Sequence, residues 1–114
     1  MSADCLFCRI FAGELPADVV ARDDGFVAIR DIAPKAPVHL LVIPEHHVAS
    51  LDEVEDLTPE ERSAMLVFIA RVAREAGLVG SGYRVVANHG PDARQSVFHL
   101  HWHVLGGARL SDTM

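Results

Sequence analysis

The alternation of apolar and polar positions divides the chain into short strands and helices. Residues 19–22 and 26–31 are rich in β-branched and apolar side chains, and the Asp-Asp-Gly turn at 23–25 joins them as a predicted hairpin. The apolar run 38–44 predicts a well-buried strand that stops at Pro44. Residues 83–88 predict a further strand.

Two segments carry helical signals. Thr58 is a typical N-cap, Pro59 suits the first turn, and Glu61 completes a capping box. The apolar positions that follow at helical spacing, up to a stop before Gly77, are Met65, Phe68, Ile69, Val72, Ala73 and Ala76. Residues 5–12 predict one or two further helical turns. We therefore expect an α+β fold with a central antiparallel sheet of about five strands, one long helix and a short N-terminal helix.

The segment 95–105 has the most unusual pattern. His99, His101 and His103 alternate with apolar residues, so a strand that begins near Ser96 and ends at the glycines 106–107 would place the three imidazoles on one face. An isolated histidine in a strand is usually a surface or hydrogen-bonded core residue, but solvation gives no reason for this alternation. Two chemical interpretations remain: metal ligands, or a histidine nucleophile with histidine partners.

Length and charge restrict the function classes. The 114 residues fit one domain, 1–114, and no apolar run approaches the roughly 20 residues of a membrane span. The formal charge of −6 argues against a broad nucleic-acid surface but allows a local pocket for a small anion. The N-terminus has acidic Asp4 and no signal-peptide pattern, so we expect a cytoplasmic protein without a membrane or nucleic-acid partner.

Cys5 and Cys8 form a Cys-x-x-Cys pair, which in a cytosolic chain suggests metal or redox chemistry more than a structural disulfide. A thioredoxin-like redox pair would follow a strand, and no strand is predicted before Cys5. Metal binding is therefore the favoured interpretation of the pair.

The segment Gln-Ser-Val-Phe-His-Leu-His-Trp-His-Val-Leu resembles the signature of the histidine triad family, His-φ-His-φ-His-φ-φ with φ apolar. Its Gln-Ser-Val start is similar to the Hint branch of nucleoside phosphoramidases. Other segments agree with the family in order and spacing over about residues 5–107, and these are Phe7, Gly13-Glu14-Leu15-Pro16-Ala17, Asp31-Ile32-Ala33-Pro34, Ala36-Pro37-Val38-His39, Leu41-Val42-Ile43-Pro44 and Asn88.

The resemblance implies a hydrolase that cleaves the P–N bond of purine nucleoside phosphoramidates. His101 would be the nucleophile and form a covalent nucleotidyl-histidine, with His103 beside it and His39 as a relay or orienting group. No metal would be required for catalysis. Two alternatives remain open: a nucleotide-binding regulatory module with little turnover, and a dinucleoside polyphosphate hydrolase or nucleotidyl transferase.

The resemblance also implies a substrate pocket. Asp31 would bind the ribose hydroxyls, although an Asp before Ile-Ala-Pro is often a turn-former through its side chain. The positions expected to line the nucleobase pocket, some of which would otherwise be ordinary core contacts, are Leu6, Phe7, Ile10, Ile29 and Ile32. The positions expected near the phosphate, with loop amides, are Asn88, Ser96 and Val97.

Four further residues match a structural zinc site of relatives that keep Cys-x-x-Cys: Cys5, Cys8, His47 and His99. Such a closed Cys₂His₂ set would tie the N-terminal turn to the sheet. The resemblance implies a homodimer with one sheet continuous across two chains. Where Hint proteins commonly have glycines before Gln-Ser-Val, this chain has Ala93 and Arg94, which could crowd the phosphate loop or place a cation near it.

Overall fold

The computed structural model describes residues 5–112. Five antiparallel strands form one sheet, in the order β1-β2-β3-β5-β4. The strands are β1 (Val19–Asp23), β2 (Phe26–Arg30), β3 (Val38–Pro44), β4 (Tyr83–Val86) and β5 (Trp102–Gly106). The predicted α+β class and the hairpin of β1 and β2 are confirmed.

The long helix α2 (Pro59–Glu75) packs on one face of the sheet. It starts as predicted, because the Thr58 hydroxyl accepts the Glu61 N–H at 3.0 Å and the Glu61 carboxylate accepts the Thr58 N–H at 2.8 Å. Its apolar stripe meets Ala28, Val42 and Val104 from the sheet. Burial of this stripe provides the larger of the two cores among the described residues.

The short helix α1 (Leu6–Phe11) covers the opposite face of the sheet. Phe7 packs there with Val27, Ile29, Leu41 and Ile43. Since side chains alternate along a strand, His39 on β3 and His103 on β5 share this second face with Leu41. The histidines of interest therefore lie on the α1 side of the sheet.

The prediction for the triad strand was wrong in its first half. β5 begins only at Trp102, whose partner is Val42, and residues 97–99 bend instead of extending. In this register Leu100 would pair with Pro44, but Pro44 has no N–H and its carbonyl accepts the His99 ring N–H. The Leu100 N–H donates to the Val48 carbonyl at 2.7 Å instead. Similarly, β4 ends at Val86, two residues before the predicted end at Asn88.

The fold contains one element that the pattern did not predict, a 3-10 helix over Leu51–Asp56, with the Ser50 hydroxyl as its N-cap. Within residues 5–112 no helix combines the length and the apolar character needed to cross a bilayer.

Candidate active site and metal cluster

His101 is held in a defined tautomer. Its Nδ1 lies 2.8 Å from the carbonyl oxygen of His99. Since a carbonyl only accepts, Nδ1 must carry the proton, and the Nε2 lone pair is left for a ligand. The His101 ring also packs edge-on against Phe7, with ring centroids 5.1 Å apart. In the neutral ring of the predicted nucleophile, the free lone pair is therefore on Nε2.

His103 is the neighbour of His101, with ring centroids 5.2 Å apart. Its Nδ1 lies 2.9 Å from Nε2 of His39, a diagonal cross-strand neighbour on the same face of the sheet. Burial, with the positive charges that His101 and His39 would carry, lowers the pKa of His103 to about 4. Burial also lowers the pKa of His39, although the Asp31 carboxylate opposes that shift. Both rings are therefore neutral at pH 7.

The Lys35 N–H determines which nitrogen donates in the hydrogen bond between His39 and His103. The Lys35 N–H donates to Nδ1 of His39 at 3.0 Å, so the proton of the neutral His39 ring is on Nε2. That Nε2–H donates to Nδ1 of His103. The proton of His103 is consequently on its own Nε2, which is a donor available to a bound ligand.

Asp31 follows β2 directly and lies opposite His39, whose carbonyl accepts the Asp31 N–H at 3.0 Å. One carboxylate oxygen, Oδ1, accepts the Ala33 N–H at 2.8 Å, which is the turn-forming contact considered from the sequence. The other, Oδ2, lies 3.3 Å from Nε2 of His39. Asp31 therefore forms the turn and joins the histidine network at once.

The four residues predicted as zinc ligands meet in space. The His99 Nδ1 lies 3.2 Å from the Cys5 sulfur and 3.6 Å from the Cys8 sulfur, and the His47 Nδ1 lies 3.2 Å from the Cys8 sulfur. All four ligand atoms lie within 4.8 Å of one another. Two thiols and two imidazoles at this spacing match the donor set of a closed tetrahedral site, so the cluster can hold a metal ion.

The tautomer of His99 suits a ligand. Its Nε2 lies 2.7 Å from the Pro44 carbonyl and must donate, so the Nδ1 lone pair points toward the two sulfurs. Burial lowers the pKa of His99 to about 4, which keeps the ring neutral. A carbonyl partner on the far nitrogen is the usual arrangement around a ligating histidine.

A second group, formed by Asp31, His39 and His103, also places its nitrogen and oxygen atoms within 4.8 Å of one another. Its hydrogen bonds do not suit a metal ion. Because the Lys35 N–H occupies the Nδ1 lone pair of His39, the Nε2 that would have to bind the metal carries a proton. This group is therefore a hydrogen-bonded network, whereas the Cys₂His₂ cluster could hold a metal ion.

The loop before the triad is closed by Gln95. Its Oε1 accepts the Gly90 N–H at 3.0 Å, and its Nε2 donates to the carbonyls of Ala49 at 2.8 Å and Val97 at 3.1 Å. Arg94, beside it, has φ of 61°, in the left-handed region where glycine is favoured. The chain therefore retains the backbone conformation of a glycine at this position and adds an exposed cation.

Asn88 is half-buried and Ser96 is exposed. Among residues 5–112 neither side chain forms a hydrogen bond, so both polar groups are available to a ligand. Val97 is partly buried and packs against the α1-side core.

The residues expected around the nucleobase fall into two groups. Phe7 and Ile29 are buried in the α1-side core, and Ile10 packs against it. Leu6 is partly exposed, and Ile32 is fully exposed at 102 % of its reference area. Phe7 and Ile29 thus contribute to the α1-side core, while Leu6 and Ile32 leave apolar surface open.

A cavity of about 440 Å³ borders Asp31 and His39 on the side of α2, and His101 and His103 do not line it. Its apolar walls come from Leu40 and Val72, which belong to the α2 face of the sheet. Among the histidine network, Asp31 and His39 thus border this cavity.

Sequence patterns did not single out two groups of this site. The Lys35 N–H and the Pro44 carbonyl are backbone groups, and they fix the tautomers of His39 and His99. No residue type marks such a contact. Only the three-dimensional structure shows that a backbone group lies beside a ring nitrogen.

Comparison with known proteins identifies the class. The chain belongs to the HIT domain family, whose model matches residues 12–110. The resemblance drawn from the triad is thereby confirmed.

Two relatives cover nearly the whole chain. An uncharacterised HIT-like protein of Synechococcus elongatus is 44% identical over 111 residues, which are 97% of this chain and 96% of that protein. The purine nucleoside phosphoramidase of Escherichia coli K12 is 34% identical over 110 residues, which are 96% of this chain and 92% of the enzyme.

Solved structures agree in fold. The crystal structure of a HIT family hydrolase from Legionella pneumophila Philadelphia 1 matches with a TM-score of 0.91 at 42% identity, covering 96% of this chain and 98% of that one. A zinc-bound histidine triad family protein from Mycobacterium smegmatis matches with a TM-score of 0.75 at 37% identity, covering 96% and 78%.

Proposed function

We propose that the protein hydrolyses the P–N bond of purine nucleoside phosphoramidates, with His101 as the nucleophile. The observation that carries the proposal is the pair of fixed tautomers: His101 has a free Nε2 lone pair, and neighbouring His103 has an Nε2–H. Family membership and the 34% identity to the purine nucleoside phosphoramidase of E. coli support the substrate class.

In the first step, Nε2 of His101 attacks phosphorus and the N–P bond forms, while the amine takes up a proton from solvent and leaves with the electrons of the P–N bond. The nucleotidyl-imidazole is cationic, because Nδ1 keeps its proton, and the His99 carbonyl 2.8 Å away stabilises that charge. In the second step, water attacks phosphorus and gives up a proton to solvent, which balances the proton taken up in the first step. The bond between His101 and phosphorus breaks, a nucleoside monophosphate is released, and the imidazole returns to its neutral form.

His103 would act as a hydrogen-bond donor rather than as an acid. With a pKa of about 4 it is neutral at pH 7, and its Nε2–H can bind a phosphoryl oxygen as negative charge develops there. Asn88 and Ser96, which have no partners among the described residues, would supply further donors. Asp31 would bind the ribose with oxygen lone pairs that the turn and His39 do not use.

Leu6, Phe7, Ile10, Ile29 and Ile32 would form the apolar wall for the base. All but Ile32 lie on α1 or on the sheet face that α1 covers. Leu6 and Ile32 have apolar surface that a purine ring would bury.

We further propose that the Cys₂His₂ cluster binds a structural zinc ion. The donor set, the closeness of the four atoms and the tautomer of His99 support this assignment, and the relative from M. smegmatis is described as zinc-bound. Bound zinc would tie α1 to the loop after β3 and to the segment before β5. The catalytic steps do not pass through it.

The surface also supports a homodimer. β4 is an edge strand of the sheet, and its Tyr83 and Val85 are exposed. Leu66 and Val67 on α2 are more than half exposed, which is unusual for apolar helix residues. A second copy that pairs its own β4 with this edge would bury these exposed side chains of β4 and of α2. Sedimentation of wild type and of Val67→Glu tests this arrangement.

Turnover of adenosine 5′-phosphoramidate beside diadenosine polyphosphates, by wild type and His101→Ala, tests the proposed reaction. We expect wild type to prefer the phosphoramidate and His101→Ala to lose turnover. Preference for the polyphosphate would assign a different substrate class, and binding without turnover by wild type would indicate a regulatory module.

A further inference from the structure

One buried residue takes part in both sites. The His99 ring, 0% exposed, supplies an Nδ1 to the metal cluster, and its backbone carbonyl accepts the Nδ1–H of His101. The orientation of that carbonyl depends on where the ring is held, since both belong to one residue. The metal cluster and the proposed nucleophile are thus joined through a single peptide unit.

Helix α1 makes a second connection. Cys5 and Cys8 flank Phe7, whose ring packs edge-on against His99 at 5.8 Å and against His101 at 5.1 Å. A six-residue helix is far too short to be stable by itself, so α1 depends on its tertiary anchors. Ligation of both cysteines would hold Phe7 against the two imidazoles.

Two hydrogen bonds tie the segment around His99 to the end of β3 and to the loop that carries His47. The Leu100 N–H donates to the Val48 carbonyl at 2.7 Å, and the His99 ring donates to the Pro44 carbonyl at 2.7 Å. On the α1 side, the segment packs against the Phe7 ring. The Cys₂His₂ cluster provides a further link to α1.

We infer that metal ligation by His99 positions the His101 ring for attack, so that occupancy of the cluster sets the activity of the site. The inference rests on the proposed function for its kinetic consequence. His99 is accordingly a positioning residue: its ring accepts the metal, and its carbonyl keeps His101 in the Nδ1–H tautomer. Loss of the metal removes the cysteine anchors of α1 and lets that carbonyl turn, so the protein responds to metal supply.

Two substitutions at His99 separate this role from a purely structural one. His99→Cys supplies a sulfur ligand, and zinc accepts Cys₃His sets, whereas His99→Phe fills the space of the ring without a ligand atom. Both substitutions remove the hydrogen bond to the Pro44 carbonyl. If the role of His99 is only structural, His99→Cys should lower the free energy of unfolding more than His99→Phe does, because the smaller side chain leaves a cavity.

The readouts are the zinc content by elemental analysis, the ring ¹⁵N shifts of His101, and turnover of adenosine 5′-phosphoramidate. We expect zinc-loaded wild type and His99→Cys to show one Nδ1–H tautomer for His101. We expect His99→Phe and chelator-treated wild type to show a mixture of tautomers and turnover lower by about 100-fold, the cost of a displaced reacting group. Zinc returned to the chelated wild type should restore both.

A folded His99→Phe protein with the wild-type tautomer and turnover would overturn the inference. If His99→Phe does not fold, the comparison of chelated and reloaded wild type by the same ring shifts decides the matter. The ring shifts also separate the two proposals: a zinc-dependent tautomer without phosphoramidate turnover refutes the proposed reaction and leaves the positioning role in place.

Discussion

The Nε2 of His39 lies 2.9 Å from the Nδ1 of His103, and the direction of this hydrogen bond is set by the Lys35 N–H at the other end of the His39 ring. The backbone N–H of Lys35 therefore determines that His103 offers an Nε2–H donor to a substrate. Substitutions at His39 test this series of hydrogen bonds.

Replacing His39 by glutamine should preserve much of the activity, because the glutamine amide places an N–H near the position of the imidazole Nε2. His39→Asn is shorter and should not reach His103, so we expect its kcat to fall by about 10- to 100-fold, the usual range for lost proton-transfer and orienting groups. Steady-state kinetics of both variants checks this ordering. Equal losses in the two variants would contradict the relay.

The lowered pKa of His103 predicts how stability depends on pH. An unfolded histidine titrates near 6.5 and His103 in the folded protein near 4, so the unfolded state binds more protons between these values. The contribution of His103 is complete above about pH 6.5 and is lost as the pH falls toward 4. Urea unfolding at pH 7 and pH 5 should show a smaller loss for His103→Gln than for wild type. An equal loss would mean that His103 titrates normally.

Replacing Gln95 by glutamate should destabilise the loop before the triad. The change keeps an acceptor for the Gly90 N–H but removes both donors to the Ala49 and Val97 carbonyls. We expect a loss of about 2 kcal/mol in the free energy of unfolding, from two hydrogen bonds at about 1 kcal/mol each. Urea unfolding measures it, and a weaker affinity for AMP should accompany it. Wild-type values for both quantities would show that Gln95 does not organise the loop.

Arg94 allows backbone strain to be separated from charge. Arg94→Gly removes the strain of φ at 61° and should raise the free energy of unfolding by about 1 kcal/mol. Arg94→Ala keeps a Cβ in the same conformation and should give no gain. Chemical denaturation of the two variants makes the comparison, and a gain in both would indicate that the cation, not the backbone, is destabilising.

Local signals in the sequence were sufficient for α2 and the hairpin. The Thr58 and Glu61 capping box and the turn before Phe26 depend on neighbours a few residues apart, and both formed as predicted. The triad strand was less predictable, because its first half depends on whether β3 offers a partner. Pro44 ends that partner, and the chain bends where alternation alone predicts an extended strand.

The candidate site shows the same division between local and distant information. His99 and Cys5 lie 94 residues apart, and no periodicity predicts that their side chains meet. The family resemblance supplied that grouping, and the structure brings the four atoms together. The tautomers required the structure itself, since the backbone groups of Lys35 and Pro44 that set them have no side-chain signature.

The proposed reaction begins with attack of the His101 Nε2 on phosphorus. Rapid mixing with adenosine 5′-phosphoramidate, acid-free quenching and peptide mass spectrometry would test it most directly. We expect an adenylyl group on the peptide that contains His101, located on that residue by fragmentation. It should form before AMP appears and be missing in His101→Ala. Turnover of the phosphoramidate at full rate by His101→Ala, or an adenylyl group on a different residue, would contradict it.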